Sequence, residues 1–172
     1  MRIVINDANI LIDLIHLQMI HLLFELKHLE LKTTDFVFEE LGSPQRAILQ
    51  KFIDQGTLEI LESEEKELEN IFNLLNNTSG LSFEDCSVWY FAKINNGILL
   101  TGDGKLRKQS SQDGIEVRGI LFVFDELLKA GLITFDLALL KLDQLYQINN
   151  RLPIKAKIER VELWSREEQI AY

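Results

Sequence analysis

The sequence predicts an α/β fold, a three-layer αβα sandwich in which a parallel sheet lies between layers of helices. Short apolar runs of strand length alternate along the chain with longer segments of helical periodicity. This alternation favours parallel strands, because each helix carries the chain back across the sheet. With 172 residues, 47% of them apolar and 26% charged, the chain has the composition of one globular domain with a sizeable core.

Five segments have the length and apolar character of buried strands. In chain order they are residues 2–6, 30–33, 57–61, 98–102 and 115–118. We predict that the last strand and its helix complete a main domain at residues 1–133. Residues 134–172 are then a C-terminal helical extension packed on it.

The helical segments are defined by apolar periodicity and by their end signals. Ser43 and Pro44 suit an N-cap and first turn, Ser63 and Ser82 are expected to start later helices, and Gly131 to end one. The expected segments are residues 9–26 with a break near His16, 35–41, 43–56, 63–75, 82–97, 105–108, 120–131, 135–148 and, after a break at 149–153, a last stretch to Tyr172.

Four carboxylates stand where apolar segments meet a loop or a helix start. Asp7 closes the first strand and Asp103 the fourth, while Glu40 and Asp85 lie on helical segments. If the two strands are neighbours, their acids meet at the carboxyl edge of the sheet, where open α/β sheets bind ligands. Clustered carboxylates repel one another unless a cation or protons neutralise them, and the natural cation is Mg²⁺ or Mn²⁺.

Each of these acids also has a purely structural interpretation, which the sequence leaves open. Asp7 and Asp103 suit turn or helix-cap positions. Asp85 follows Ser82 at the spacing of a capping box. Glu40 would be unremarkable as a solvated helix residue.

Other classes of site are disfavoured. His16, His21 and His28 lack zinc-motif spacing and cysteine partners, and the lone Cys86 forms no intramolecular disulfide, which suits a reducing compartment. There is no membrane-length apolar run, and the N-terminus does not resemble a signal peptide. We therefore expect no membrane association and a cytoplasmic location.

The net charge of −9 argues against non-specific nucleic-acid binding by the whole surface, but it permits a local basic track. Lys105, Arg107 and Lys108 follow Asp103 and are candidate RNA-phosphate contacts. A solvated helix face is the alternative for these residues. It is the favoured interpretation of a second basic cluster, which consists of Arg151, Lys155, Lys157 and Arg160.

Several short motifs, taken in order and spacing, resemble a PIN domain, the family of metal-dependent ribonucleases that includes VapC-type toxins. The motifs are VINDANILIDL, FVFEELG, LSFEDCSVWYFAK, ILLTGDGKLRK and GIEVRGILFVFDELLKAGLI. The resemblance covers residues 2–131 and implies a PIN-like, five-stranded parallel sheet with an acidic metal site. Ala8 departs from the family pattern, in which Ser or Thr is common at that position.

The resemblance implies that Asp7, Glu40, Asp85 and Asp103 are the catalytic metal ligands. Asn9 is expected to orient Asp7 by hydrogen bonding rather than to bind the metal directly. Thr101 could orient Asp103 in the same way or merely fill a β position. Glu39 and Glu84 each adjoin one of these acids, so the ligand position could shift by one residue.

We therefore expect a Mg²⁺- or Mn²⁺-dependent endoribonuclease acting on single-stranded RNA, and the resemblance suggests the toxin of a toxin–antitoxin pair. The alternatives are an inactive PIN-like protein-interaction module and a structure-specific DNA nuclease. The expected partners are RNA and an antitoxin-like protein with a basic segment. A homodimer is also expected, because helices 9–26 and 135–148 carry many large apolar residues.

Overall fold

The computed structural model of the protein describes residues 1–170, with side chains through residue 167. Its centre is an all-parallel sheet of five strands in the order β3-β2-β1-β4-β5, which confirms the predicted fold class. The strands are β1 Arg2–Asn6, β2 Leu29–Thr34, β3 Leu58–Leu61, β4 Ile98–Leu100 and β5 Val117–Arg118.

Helices flank this sheet. They are α1 Ala8–His16, α2 Ile20–Leu23, α3 Asp35–Glu40, α4 Ser43–Asp54, α5 Glu65–Asn76, α6 Phe83–Ile94, α7 Gly104–Gln112, α8 Ile120–Lys129, α9 Phe135–Ile148 and α10 Ile154–Ile170. The last helix was predicted to reach Tyr172, and residues 171–172 lie outside the described part of the chain.

The register between β1 and β4 positions the candidate site. Asn6 pairs with Leu100, so both strands end at the same level of the sheet. The backbone N–H of Asp7 extends the ladder by donating to the Leu100 carbonyl at 3.0 Å. Asp7 and Thr101 therefore emerge side by side at the carboxyl edge, where parallel α/β sheets place their ligands.

The predicted break near His16 is present. α1 ends at His16, and Gln18 adopts a left-handed backbone with φ of 57°. The Gln18 N–H donates to the Ile15 carbonyl at 2.9 Å, and the Met19 N–H donates to the Leu14 carbonyl at 2.8 Å. These bonds satisfy carbonyls left open at the helix end and turn the chain into α2.

Two predicted helix starts were wrong. The N-cap of α4 is Gly42 rather than Ser43, because the Gln45 side chain accepts from the Gly42 N–H at 2.8 Å and makes Ser43 the first helical residue. α5 begins at Glu65 rather than Ser63. The N–H and hydroxyl of Ser63 donate to Asp35 at 2.9 and 3.0 Å, which holds Ser63 in the preceding loop.

The C-terminal segment is packed on the rest of the chain through α10. Trp164 is only 1% exposed and stacks on Phe124 of α8, with ring centroids 5.9 Å apart. Its indole N–H donates to Asp125 at 3.0 Å, and Arg160 pairs with the same carboxylate at 2.9 Å. These contacts fix α10 against α8 by both apolar burial and polar pairing.

The apolar side chains of the first helical segment are largely buried within the chain itself, including Ile10, Leu11 and Leu14. The large exposed apolar residues lie mainly on α5, α9 and α10, and they are Leu68, Phe72, Leu140, Ile148, Ile154, Ile158 and Leu163. The homodimer stays a prediction. Among the described residues, no helix combines the length and apolarity that a membrane crossing requires.

Candidate functional site

Asp7 lies at the switch from the central strand β1 to helix α1. Its backbone is still extended, with φ of −81° and ψ of 153°, and its Oδ1 accepts from the Ala8 N–H at 2.7 Å as the N-cap of the helix. The residue is only 4% exposed. A carboxylate is thus held in a buried position by the first turn of a helix, whose positive end favours negative charge.

The second oxygen of Asp7 is oriented by two side chains. The Thr101 hydroxyl donates to Asp7 Oδ2 at 2.5 Å, and the Asn9 amide donates to the same oxygen. Asn9 also accepts from the Gly102 N–H at 2.8 Å, so it ties the end of β1 to the loop after β4. Asn9 therefore contacts Asp7 as expected.

Thr101 was expected to orient Asp103 by hydrogen bonding or merely to fill a β position, and in the structure it contacts both Asp103 and Asp7. Its hydroxyl donates to Asp7, while its oxygen accepts from the backbone N–H of Asp103 at 3.0 Å. The cause is the β1–β4 register, which brings Thr101 beside Asp7 at the ends of the two strands. Thr101 thus links the carboxylate of Asp7 to the backbone N–H of Asp103.

Asp85 and Asp103 are helix caps, as their structural interpretation proposed. Asp103 Oδ1 accepts from the Leu106 N–H at 2.8 Å. Asp85 Oδ2 accepts from the Ser82 N–H at 2.8 Å, and Ser82 returns the bond to complete a capping box. Each cap uses one oxygen. Within the described residues, Asp85 Oδ1 and Asp103 Oδ2 have no hydrogen-bond donor, so the caps leave both carboxylates able to bind a ligand.

Glu40, rather than Glu39, faces the other acids. Glu39 is 74% exposed and pairs with Arg46 at 3.0 Å. The pKa of Glu40 is raised by partial burial and by the charges of Glu84 and Asp85. Glu84 therefore adds a fifth carboxylate beside Glu40 and Asp85, instead of taking the place of Asp85.

Burial is the main cause of the raised pKa values at this edge. It raises the pKa of Asp7 from 3.8 to about 6, against the hydrogen bond from Thr101 and with the help of the Asp85 charge. Burial also raises the pKa of Asp85, where the bonds from Ser82 oppose it and the Asp103 charge adds to it. In the described part of the chain, none of these acids forms an ion pair with a basic side chain.

A buried hydroxyl pair joins the helices that carry these acids, and the sequence analysis missed it. Thr34 and Ser87 form a hydrogen bond of 2.7 Å between their hydroxyl oxygens. Thr34 caps α3, which ends in Glu40, and the Ser87 hydroxyl lies 2.7 Å from the Glu84 carbonyl. The sequence does contain a signal for one member of this pair, because Thr34 directly precedes the start of α3, where a helix-capping residue is expected.

The acids surround one edge without forming a compact cage. Among the described residues, no three His, Cys, Asp or Glu side chains are close enough together to be a preformed metal cluster. Convergence is therefore looser than the sequence analysis expected. An open, all-oxygen donor set still fits Mg²⁺, which keeps several waters and is usually held by one or two carboxylates together with substrate phosphate.

The basic residues after Asp103 point in two directions. Lys105 and Lys108 are exposed and line a groove beside α7. Arg107 turns inward and donates to the Thr101 carbonyl at 3.0 Å, and burial together with nearby Arg118 lowers the pKa of its guanidinium. Arg107 is therefore a structural tie at the end of β4 and is not a groove residue.

Most of the second basic cluster is paired on the surface. Lys155 lies 3.8 Å from Glu159, Lys157 lies 2.6 Å from Asp143, and Arg160 lies 2.9 Å from Asp125. The exposed pair of Lys155 with Glu159 contributes little to stability. The solvated-face interpretation therefore suits Lys155, whereas Arg160 is partly buried against Asp125 and belongs to the contact between α8 and α10.

A family model described as a PIN domain matches residues 3–165. The match includes all five strands, the four acids, α9 and most of α10, and so extends beyond the motifs at residues 2–131. No curated protein matches the chain.

Proposed function

The chain belongs to the PIN-domain family, and on that premise we propose that it is a Mg²⁺- or Mn²⁺-dependent endoribonuclease that hydrolyses phosphodiester bonds in single-stranded RNA. The family supports a nuclease fold, and the acids at the carboxyl edge support a metal-dependent hydrolase. RNA as the substrate and the identity of the metal are the finer parts of the proposal.

One observation carries the proposal. The Asp7 carboxylate is buried at the end of the central strand, its pKa is raised to about 6, and the neighbouring charge that adds to this rise is another acid, Asp85. Burying an ionised carboxylate beside a like charge is costly unless a cation joins it or a proton neutralises it, and at neutral pH the cation is the remaining choice for Asp7. A structural cap alone would not require Glu40, Asp85 and Asp103 to surround the same edge.

Asp7, Glu40, Asp85 and Asp103 would hold the divalent ion, directly or through water. When bound, the ion would lower the pKa of a water molecule and neutralise the phosphate. Thr101 and Asn9 hold Asp7 in one orientation, so the carboxylate does not need to reorganise when it acts. With a pKa of about 6, Asp7 is mostly ionised at neutral pH and becomes protonated in mild acid.

We further propose that this ribonuclease is the toxin of a toxin–antitoxin pair. An antitoxin-like partner could insert an Arg or Lys among these acids, where charge-assisted hydrogen bonds would replace the ion. Metal and partner would then compete, and added Mg²⁺ would weaken the complex. The support is the family resemblance together with the absence of a basic partner for these acids in the described residues.

The proposal is tested by incubating the purified chain with single-stranded RNA and DNA in Mg²⁺, Mn²⁺ or EDTA. We expect RNA cleavage that requires the metal, and a loss of more than about 100-fold for Asp7→Asn. Asp113→Asn is the matched control, because Asp113 pairs with Lys93 at 2.7 Å at the opposite edge of the sheet.

Two other outcomes would support the alternatives. Cleavage of DNA with intact RNA would support a DNA nuclease. An absence of metal-dependent cleavage of either substrate would contradict an enzyme and favour a binding module. Full activity of Asp7→Asn would remove Asp7 from the proposed role.

A further inference from the structure

The geometry points to a groove beside α7 that binds the phosphate backbone of a single-stranded RNA, an inference that rests on the proposed ribonuclease function. The groove has a volume of about 680 Å³ and lies between residues 77–80 and α7. The helix contributes Lys105, Lys108, Gln109 and Gln112.

These four residues form one stripe along the helix. Their spacing is i, i+3, i+4 and i+7, which places them on a single face of α7 over about 10 Å. A stripe with this spacing is normally apolar and faces a core. Here it is polar and basic throughout, so it suits a charged ligand that runs along the helix.

The charge of the groove is opposite to that of the chain. The chain has 27 acidic residues and a net charge of −9, yet none of the described residues that line the groove is acidic. Within the described residues, neither Lys105 nor Lys108 forms an ion pair, although most other basic side chains with described surroundings do. Two unpaired ammonium groups along a groove are suited to successive phosphates.

The opposite wall is held in place by the helix. The Gln109 amide donates to the Ser79 carbonyl at 3.3 Å. Gly80 has φ of +74°, and a Cβ added there would lie 2.6 Å from Lys105 Nζ. Gly80 thus provides both the left-handed turn and the space in which the Lys105 side chain lies against the loop.

Both walls of the groove lead along the chain to the acids. Residues 77–80 come just before Ser82 and Asp85 at the start of α6, and α7 begins directly after its cap Asp103. A strand lying in the groove would therefore pass towards Asp85 and Asp103. Among the described residues, no aromatic side chain lines the groove, so these residues offer contacts to phosphate and no stacking platform for bases.

The test compares the double variant Lys105→Gln, Lys108→Gln with Lys51→Gln. Gln keeps a long polar side chain at exposed positions, so the fold should be retained. Lys51 is an exposed lysine on α4, which precedes β3 at the far side of the sheet from β5. Binding of a fluorescent single-stranded RNA is followed by anisotropy over a range of salt concentrations, and KM is measured with Mn²⁺.

The double variant should bind about tenfold more weakly at low salt, and its KM should rise in parallel with little change in kcat. The slope of log affinity against log salt should fall by about 1.4, since each lost phosphate contact removes about 0.7 for a single strand. Lys51→Gln should stay within about twofold of the wild type.

An unchanged affinity, slope and KM in the double variant would overturn the groove while leaving the ribonuclease proposal intact. Conversely, a wild-type chain that binds RNA through these lysines but does not cleave it would contradict the proposed function and support the groove.

Discussion

The two edges of the sheet treat their charges in opposite ways. At the amino edge, Glu116 is paired with Arg2 at 2.6 Å and with Arg118 of β5 at 2.9 Å, and these partners lower the pKa of that carboxyl. Lys93 lies 2.7 Å from Asp113 and likewise lowers its pKa. At the carboxyl edge, burial and neighbouring acids raise the pKa values of Asp7, Glu40 and Asp85.

A cavity does not by itself identify the functional edge, because a cavity of about 580 Å³ lies at the amino edge. The difference lies in the charges. At the amino edge the protein supplies the cations that its acids need. At the carboxyl edge, within the described residues, no basic side chain forms an ion pair with the acids, so their charge balance depends on a ligand from outside.

The largest expected effect is a difference between the two edges in how the unfolding free energy of the metal-free protein depends on pH. The rise in the Asp7 pKa from 3.8 to about 6 corresponds to a cost of about 3 kcal/mol for its ionised form in the fold. This cost is absent below the lower value and complete above the higher one. The unfolding free energy of Asp7→Asn, minus that of the wild type, should therefore grow by about 3 kcal/mol between about pH 4 and about pH 8.

Asp113→Asn should change in the opposite direction. The pKa of Asp113 is lowered, so its ionised form stabilises the fold above the ordinary value and this contribution is lost as the pH falls. The variant should lose a small amount of stability relative to the wild type at higher pH. Urea unfolding in EDTA measures both variants. Parallel pH profiles for the two would contradict the contrast between the edges.

The next effect concerns the hydroxyl that holds Asp7. Thr101→Val removes the 2.5 Å bond to the carboxylate and should lower metal-dependent cleavage by about 10- to 100-fold, as loss of a group that orients a metal ligand does. Thr33→Val is the matched control, because the buried Thr33 hydroxyl donates to the Asn6 carbonyl at 2.7 Å instead. It should cost about 1 kcal/mol of stability and leave cleavage nearly unchanged. Equal losses of cleavage in both variants would indicate a general packing effect.

The sequence was sufficient for the parallel sheet and for the acids at the strand ends. Asp7 and Asp103 each follow an apolar run directly, and that local pattern determines where a parallel strand stops. The partner of Thr101 could not be predicted in this way. It depends on the pairing of Asn6 with Leu100, a long-range register that no local pattern specifies.

Side-chain direction was the other limit. The sequence placed Lys105, Arg107 and Lys108 in one basic cluster, whereas Arg107 turns to the Thr101 carbonyl because it lies on the inner side of α7. The choice between Glu39 and Glu40 was likewise open until the fold paired Glu39 with Arg46. Both outcomes follow from contacts between separate elements. Helical periodicity predicts which side of a helix faces the protein, but it does not predict the partner of a side chain.

The smallest expected effect concerns Glu40, the acid at the border of the carboxyl edge. Glu40→Gln removes a charge beside Glu84 and Asp85 and should lower cleavage by about tenfold, with a higher Mn²⁺ requirement. Glu39→Gln removes only an exposed pair with Arg46 and should stay within about twofold. The metal dependence of initial cleavage rates gives both values. A larger effect from Glu39 than from Glu40 would move the functional acid by one residue.

The most direct test of the contrast between the edges is thermal unfolding with increasing Mn²⁺. An ion that binds only the folded chain stabilises it by about 2.7 kcal/mol at 100 times its dissociation constant. We predict that Mn²⁺ raises the Tm of the wild type and of Asp113→Asn, and that this rise is lost in Asp7→Asn. An equal Mn²⁺-dependent rise in Asp7→Asn, or a rise lost in Asp113→Asn instead, would contradict a cation site at the carboxyl edge.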